Sequence, residues 1–484
     1  MRDINSILVL CFYIYVVLTI IFLLLDNRDT STTFAWIFVF SIFPVFGQIL
    51  YFLIGRNWRN PDKKKRLIHK QVADKIAALL EPLLRQQDSY TKELDQTNDL
   101  VNKHRLLQLL YNNSNSILTV HNKLAIIQSG EEKFELLLRD IEQACQSIHM
   151  EYFIWRSDKL TKRIGDALIK KVKKGIKVRI LYDALGSIFL SRRYIRNLRD
   201  AGVEIYPYYD FKSPFTAHTL NYRNHRKIII IDGVIGYTGG MNMGKEYVDG
   251  GRKFKSWRDT HMRLEGEAAA VLQSIFIKSW LNTTKEDLFE PAYFPIVQNE
   301  QWNVPIQITT SGPDSAWESI QQLYFSLIAS AEKSVYIQSP YFVPDNTILL
   351  ALKTAALSGL DVKIMMTGVP DKCLPYWSAY TFFKDLLKAG VKIYQYKKGF
   401  LHSKAISVDG EICSIGTANM DMRSFHINYE ISTLIYDKKK TLELTAQFKK
   451  DLQGCKEITL ESYAQLGELR KLRNSVARLF APLL

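Results

Sequence analysis

Only five cysteines, Cys11, Cys145, Cys373, Cys413 and Cys455, occur in the 484 residues, and no two of them form a CxxC pair. An odd, widely spaced set provides neither a disulfide framework nor zinc-site spacing, so they are expected to be reduced, mostly buried small residues. Acidic residues are the scarcer charge, 49 Asp and Glu against 64 Lys and Arg, a net +15. A large partner is therefore expected to be anionic, which leaves both nucleic acid and acidic lipid open. Charge itself is missing near the N-terminus: there is none from Ile4 to Leu25 and none from Thr30 to Gly55. Each stretch, as a helix, could cross a hydrocarbon core of about 30 Å. No small-x-small cleavage site follows the first, which argues against a cleaved signal peptide. At 47% hydrophobic and 23% charged, the chain is too rich in core-forming residues to be disordered and long enough for two or three domains.

The flanks orient the two expected spans. The loop from Asp26 to Thr33 holds one Arg and two Asp, whereas Arg56, Arg59, Lys63, Lys64, Lys65, Arg66, Lys70 and Lys75 follow the second stretch. Both ends are therefore expected in the cytoplasm, the chain being a two-pass protein of the cell membrane. Pro44 and Gly47 would kink the second span or let helices approach, and Trp36, Tyr51 and Trp58 fall near the expected interfaces. Residues 1–58 are thus read as two transmembrane helices and residues 59–115 as a basic helical tether.

From residue 116 short β-branched and aromatic runs alternate with helical ones, the pattern of an α/β region with helices covering sheets. That region is doubled. The run Ser147–Asp158 answers to Ser334–Asp345, and the helix-to-strand passage Leu198–Tyr206, with its Gly cap, answers to Leu387–Tyr394. Two related halves are expected, 116–300 and 301–484, the second ending in an amphipathic helix. There Leu466, Leu469, Leu472, Val476 and Leu479 share a face amid Arg470, Lys471, Arg473 and Arg478, suited to a bilayer or to packing on the core.

The sharpest repeat carries chemistry. His225, Lys227, Asp232 and Asn242 recur as His402, Lys404, Asp409 and Asn419, each 177 residues later. A chain this long should show about 0.03 chance matches to HxKx4D, so two of them, each followed by GxxN, are not coincidence. His and Lys at i and i+2 of an extended run share a face, while the Asp at i+7 falls on the other face or in the turn and frames the site. A Gly-rich GxxN ending brings backbone close and supplies an amide, suited with Lys to phosphate oxygens. Together the two His, two Lys and two Asn would form a cationic pocket for a phosphodiester. One imidazole can attack phosphorus while the other protonates the leaving oxygen and then serves as base. Lys at i+2 and the lack of a neighbouring carboxylate cluster disfavour a metal at either His, so neither metal nor other cofactor is expected.

These residues resemble the phospholipase D superfamily over residues 116–484. The N-terminal spans, with Phe43-Pro44-Val45-Phe46-Gly47 and Tyr51-Phe52-Leu53-Ile54-Gly55-Arg56, extend the resemblance to bacterial cardiolipin synthases. Asn221–Lys227, Trp257–His261, Ser339–Asp345 and Leu479–Leu484 support it. The resemblance implies an α/β fold of two phospholipase D-like repeats packed around one active site. It implies a transphosphatidylation in which two phosphatidylglycerols give cardiolipin and glycerol through a phosphatidyl-histidine, without a metal. His225, Lys227, Asp232, His402, Lys404 and Asp409 would be the catalytic set. His225 would be the nucleophile and His402 the acid and base, although the symmetry of the halves leaves open which attacks. Asn242 and Asn419 would hold phosphate, and Asp259 and Glu430 would orient the histidines. The expected partners are phosphatidylglycerol and an anionic phospholipid membrane, with no nucleic acid. A phospholipase D or another phosphatidyltransferase is the nearest rival, a membrane-tethered nuclease the next, and a catalytically dead scaffold the last. Gly240, where a Ser is common, and Thr417 depart from the family pattern. Tyr152, Phe153, Trp155, Tyr341 and Phe342 are candidate lining for an acyl or glycerol path.

Overall fold

Ile228 to Ile231 are consecutive β-branched residues, a composition suited to a strand covered on both faces. In the computed structural model all four are buried, in the middle of a seven-stranded sheet. The structure describes residues 2–25, 30–43, 46–48, 51, 74–87, 101–208, 221–295, 297, 299 and 301–483. They divide into one unit of residues 1–65 with 209–222 and a larger unit of residues 66–208 with 223–484.

In the larger unit the strand order of the first sheet is Asn122–Ile127, His261–Gly266, Ile235–Gly239, Lys227–Ile231, Ser147–Tyr152, Lys177–Asp183 and Glu204–Tyr208. The last three run parallel and the others antiparallel. The same order recurs in a nine-stranded sheet as Ile306–Ser311, Glu430–Ile435, Ile412–Gly416, Ala405–Val408, Ser334–Gln338, Asp361–Thr367 and Lys392–Tyr396. Leu118–Thr119 and Cys455–Ile458 add its two edges. Helices cover the sheets, and each half has its own apolar core.

The aspartates of the repeated motif explain the shared geometry. Asp232 and Asp409 stand at φ +53 and +56, each followed by a glycine at about +70, so both hairpins turn through two left-handed residues. The Asp232 carboxylate accepts from the backbone N–H of Cys145, Gln146 and Ser147 at 2.7 to 2.9 Å. Asp409 does the same for Glu332, Lys333 and Ser334. Each aspartate thereby ties its hairpin to the first residue of the neighbouring strand.

Several expectations need correction. The tether of residues 59–115 is not free where it is described. Leu80, in the helical segment 74–87, packs with Ile117 and Ala270, and the helix Val101–Ser114 sends Leu106 and Leu110 into the second half's core. Leu118–Thr119, inside the expected first half, pair with Ile306–Gln307 at the edge of the second sheet. The apolar spacing was legible, but which half it covers is a tertiary matter. Among the described residues Cys145, Cys373, Cys413 and Cys455 are free, but of these only Cys413 is fully buried, while Cys145 and Cys373 are exposed. The C-terminal helix Glu468–Arg478 packs by its polar side. Arg473 and Arg478 lie over the rings of Trp377 and Phe382, and Asn474 and Ala477 are buried. Leu469, Leu472 and Leu479, 84, 62 and 78% exposed, face outward.

In the smaller unit the first helix is Arg2–Leu25 and the second Thr30–Ile42. Among the described residues no helix is long and apolar enough to cross a membrane. The second helix has 13 residues, about 20 Å, and the chain beyond it folds back. Trp36 and Tyr51 would be about 22 Å apart on one straight helix, yet their rings meet edge-on at 5.0 Å. Gly47 permits the fold, because a Cβ there would come within 3.1 Å of Phe40. A second membrane span is therefore not established among the described residues, and the contact between Trp36 and Tyr51 accords with the bend or close approach expected at Gly47. Pro44, Trp58 and the basic run from 56 to 70 lie outside the described residues.

Candidate active site

Each motif histidine lies just outside its sheet, on a segment that pairs with the opposite half. His225 donates its backbone N–H to Tyr429 O at 2.9 Å, and Tyr429 donates to Arg223 O at 2.8 Å. His402 donates to Arg258 O at 2.7 Å, and the short strand Phe400–Leu401 runs parallel to Trp257–Arg258. The residues following these anchors are Glu430 and Asp259. The backbone pairing therefore sets each histidine beside a carboxylate of the other half. His225 Nδ1 lies 2.9 Å from the Glu430 carboxylate, and His402 Nδ1 lies 2.7 Å from Asp259. Arg258 also pairs with Asp451 at 2.9 Å, and Thr260 meets Ser403 at 2.8 Å, joining the halves beside the site.

Burial decides the charge states. Both imidazoles are pushed down to about 4, chiefly by desolvation, with Lys227 and Lys404 adding to it. Burial also opposes charge on Glu430 and Asp259. Their histidine partners and neighbouring cations or donors outweigh it, holding both carboxyls below their usual values. A neutral imidazole beside an ionised carboxylate has one satisfactory arrangement, in which Nδ1–H donates and Nε2 keeps its lone pair. Both rings are therefore set with Nε2 available to phosphorus or to a proton.

Lys227 and Lys404 are almost wholly buried. Their Nζ groups donate to His225 O at 2.7 Å and to His402 O at 2.5 Å. An ammonium has three donors, so each retains protons for another acceptor. Burial lowers Lys227 to about 7 and Lys404 to about 8, with Lys404 among the groups depressing Lys227 and with Glu430 and Asp259 resisting. Charges from both halves thus act on one another. A phosphodiester anion placed here would relieve the repulsion between the two ammonium groups.

The other expected site residues do not all join this cluster. Asp232 and Asp409, expected in the catalytic set, stand in the hairpin turns, about 16 Å along the strand from the motif Lys. Their oxygens are engaged by backbone, so they frame the fold and are placed away from the reacting centre. Asn242 is also occupied: Oδ1 accepts from Ile154 N at 3.1 Å and Nδ2 donates to Tyr247 OH at 2.6 Å. Asn419 instead borders a cavity, and its Oδ1 has no hydrogen-bond partner. The two departures from the family pattern are linked to carboxylate length. A Cβ on Gly240 would fall 1.9 Å from Asp259 Oδ1, so only glycine leaves the shorter carboxylate its place. In the other half Thr417 Oγ1 donates to the longer Glu430 at 2.5 Å.

The walls differ between the halves. Trp257, Phe400 and Tyr247 surround His402, with ring centroids 5.4 to 6.1 Å away. His225 touches Phe153 at 4.8 Å and opens onto a cavity of about 630 Å³, whose lining includes Phe153, Leu185, Tyr341 and Leu374. Of the expected path-lining aromatics, Phe153 and Tyr341 reach it, while Tyr152, Trp155 and Phe342 are core. Sequence reading missed Asp183, which accepts from Asn224 N at 2.9 Å and pairs with Arg223, and it missed Tyr247 and Arg423. An acidic strand end such as Asp183 was visible in the sequence, but nothing local linked it to residue 224. Among the described residues no three His, Cys, Asp or Glu side chains gather as a metal-binding group.

Comparison with known proteins gives consistent matches. The family described as "Cardiolipin synthase, PLD-like domain" matches residues 137–280 and 324–452. The one described as "Phospholipase_D-nuclease N-terminal" matches residues 11–56. The chain is similar to a cardiolipin synthase of Geobacillus sp. (strain WCH70), 42% identical over 99% of this chain and 93% of that one. It is equally similar, 42% over the whole of both chains, to the major cardiolipin synthase ClsA of Bacillus subtilis (strain 168). Among solved structures, the phosphatidylserine synthase of Haemophilus influenzae Rd KW20 aligns with a TM-score of 0.59 at 16% identity. That alignment spans 79% of this chain and 100% of the other, and supports the fold.

Proposed function

Because the chain belongs to the cardiolipin synthase family of phospholipase D-like proteins, we propose that it is a phosphatidyltransferase that makes cardiolipin. Two phosphatidylglycerols would give cardiolipin and glycerol through a phosphatidyl-histidine. The observation that most supports this chemistry is the crossed pairing of His225 with Glu430 and His402 with Asp259, beside two buried lysines.

The reaction follows from those groups. One neutral imidazole attacks phosphorus through Nε2 while the other donates a proton to the departing glycerol oxygen. Lys227 and Lys404 hold the equatorial oxygens as charge shifts in the transition state. The entering phosphodiester brings the negative charge that offsets the lysines, so the second imidazole can carry the proton it must give. The hydroxyl of a second lipid then reverses the step. Asn419, with its free Oδ1, is suited to a hydroxyl of the substrate. Asp232 and Asp409 serve by holding the hairpins.

The decisive experiment supplies phosphatidylglycerol as the only phospholipid, in mixed micelles with EDTA, and follows products by mass spectrometry. Cardiolipin with matching glycerol release is expected. Phosphatidic acid alone would make the protein a phospholipase, and absence of product from folded protein would overturn the assignment.

For localisation we propose attachment to the cell membrane through the N-terminal unit, with the catalytic region on the cytoplasmic side. Two uncharged stretches, a basic run after the second, and outward-facing Leu10, Phe12, Tyr13, Val17, Leu18 and Leu25 on the first helix support it. The two-pass reading predicts that the 26–33 loop is labelled from outside and Lys63 from inside. The Trp36–Tyr51 contact favours a second reading, a re-entrant second segment, which predicts that both are labelled from one side.

A further inference from the structure

The cavity beside His225 carries a charge pattern that the two-histidine chemistry does not require. Arg223, Arg423 and Lys372 line it, against one lining carboxylate, Asp421. Asp183, paired with Arg223 at 3.5 Å, and Asp371, bonded to Tyr341 OH at 2.6 Å, are not part of the lining. Positive charge therefore faces the open space. Burial and the nearby Arg223 lower the Arg423 guanidinium from its ordinary value. Asp421, Asp183 and Glu430 offset part of that charge, and of these three only Asp421 lines the cavity.

The same wall has two buried amide oxygens without partners, Asn419 Oδ1 and Asn428 Oδ1. A buried carbonyl oxygen left unpaired is unfavourable, and a hydroxyl donor would satisfy it. The cavity thus combines donors for a phosphate, acceptors for hydroxyls, and apolar contacts from Phe153 and Leu374. Its volume, about 630 Å³, is within the range of small-molecule sites.

We infer that this cavity seats the acceptor substrate, an anionic glycerophosphodiester lipid whose own phosphate is held by Arg423, Arg223 and Lys372 while its glycerol hydroxyls donate to Asn419 and Asn428. The inference rests on the proposed cardiolipin synthesis and adds the recognition of the second lipid. In the transfer, the acceptor hydroxyl oxygen bonds to phosphorus as the phosphorus–nitrogen bond of the phosphatidyl-histidine breaks. The hydroxyl proton passes to the imidazole not carrying the phosphoryl group. A neutral alcohol or water can undergo the same step but gains nothing from the arginines. The site thus favours lipid transfer over hydrolysis.

The test compares two reactions of the full-length enzyme in phosphatidylglycerol micelles. One is cardiolipin formation, which needs an anionic acceptor. The other is exchange of labelled glycerol into phosphatidylglycerol, which uses the same donor and a neutral acceptor. Arg423→Gln is expected to lower the ratio of cardiolipin to exchange by about tenfold or more, one charge-assisted contact. Arg423→Lys, which keeps the charge, should recover part of that ratio. Glycerophosphoglycerol, the deacylated headgroup, should inhibit cardiolipin formation more than the same concentration of inorganic phosphate does. Equal loss of both reactions in Arg423→Gln, an unchanged ratio, or equal inhibition by the two anions overturns the acceptor site. A wild-type enzyme that exchanges glycerol and makes no cardiolipin overturns instead the function on which it rests.

Discussion

Replacing Glu430 by Gln tests the crossed arrangement most directly, because the side chain changes its charge and little of its shape. Glu430 accepts from His225 Nδ1 at 2.9 Å, from Thr417 Oγ1 at 2.5 Å and from Asn428 Nδ2 at 3.1 Å. A carboxylate can accept all three, whereas an amide has one accepting oxygen. If the new amide turns its oxygen to Asn428, its NH2 meets His225 and forces the proton onto Nε2, the atom that must face phosphorus. The electrostatic loss is separate. A unit charge about 4 Å from an imidazolium, at an effective dielectric of about 20, is worth about 4 kcal/mol. At about 1.4 kcal/mol per decade, Glu430→Gln should lower cardiolipin formation by about 10³-fold. The assay is product formation from phosphatidylglycerol, with thermal unfolding to verify the fold and ¹⁵N imidazole spectra to read the tautomer. His225 should change its protonated nitrogen, and His402, paired with Asp259, should not. A rate within about tenfold of wild type, or a disturbance at His402 alone, would refute the crossed assignment.

Other consequences follow from the same contacts. His225→Ala and His402→Ala should each abolish turnover while leaving the protein folded, and retained turnover in either would remove the two-histidine chemistry. Gly240→Ser should cut activity severely, since its Cβ would fall 1.9 Å from Asp259 Oδ1; Thr417→Val, which loses one charge-assisted bond, should cost about 1.5 to 3 kcal/mol of activation free energy, read from the rate. Arg258→Met leaves the buried Asp451 carboxylate without its cation, held only by the amides of Gln338 and Gln447, and should destabilise by roughly 3 kcal/mol in chemical denaturation. Acid should weaken the fold before carboxylates titrate in bulk. His225 and His402 lie at about 4 when folded against an ordinary 6.5, so between those values the unfolded chain binds more protons. Their contribution, about 3 kcal/mol each, is complete above pH 6.5 and lost as pH falls through 4. Urea midpoints that stay constant from pH 7 to 4.5 would contradict it.

The duplicated motif was legible because identical chemistry recurs at one offset of 177 residues, and its partial symmetry reappears in the order of seven strands. A framing role for Asp232 and Asp409 follows from alternation along a strand, and their place in the hairpin turns sets them apart from the catalytic set in which the family resemblance puts them. The sequence offered Asp259 and Glu430 as carboxylates for the histidines but not which histidine each lies beside. Counting along the chain cannot show that each histidine segment pairs with the other half. The tether misled for a similar reason: apolar residues at helical spacing, Leu106 and Leu110, declare a buried face without declaring what covers it. The second apolar stretch satisfied the length of a span, and Gly47 offered a close approach, but that the approach brings Tyr51 against Trp36 is a tertiary matter.

What the sequence by itself determined is the local chemistry: two His and two Lys on extended runs, hairpins turned by Asp-Gly, two uncharged stretches near the N-terminus, and motifs specific to one family. These depend on residue type and short spacing, which covalent geometry fixes. Only the tertiary structure decided which carboxylate serves which histidine, why Gly240 and Thr417 differ, which wall of the site is closed by aromatics, and which is lined by Arg223, Arg423 and Lys372. Those facts depend on contacts between residues up to 205 positions apart, as His225 and Glu430 are. Burial, which sets the charge of every group in the site, arises only when both halves close over it.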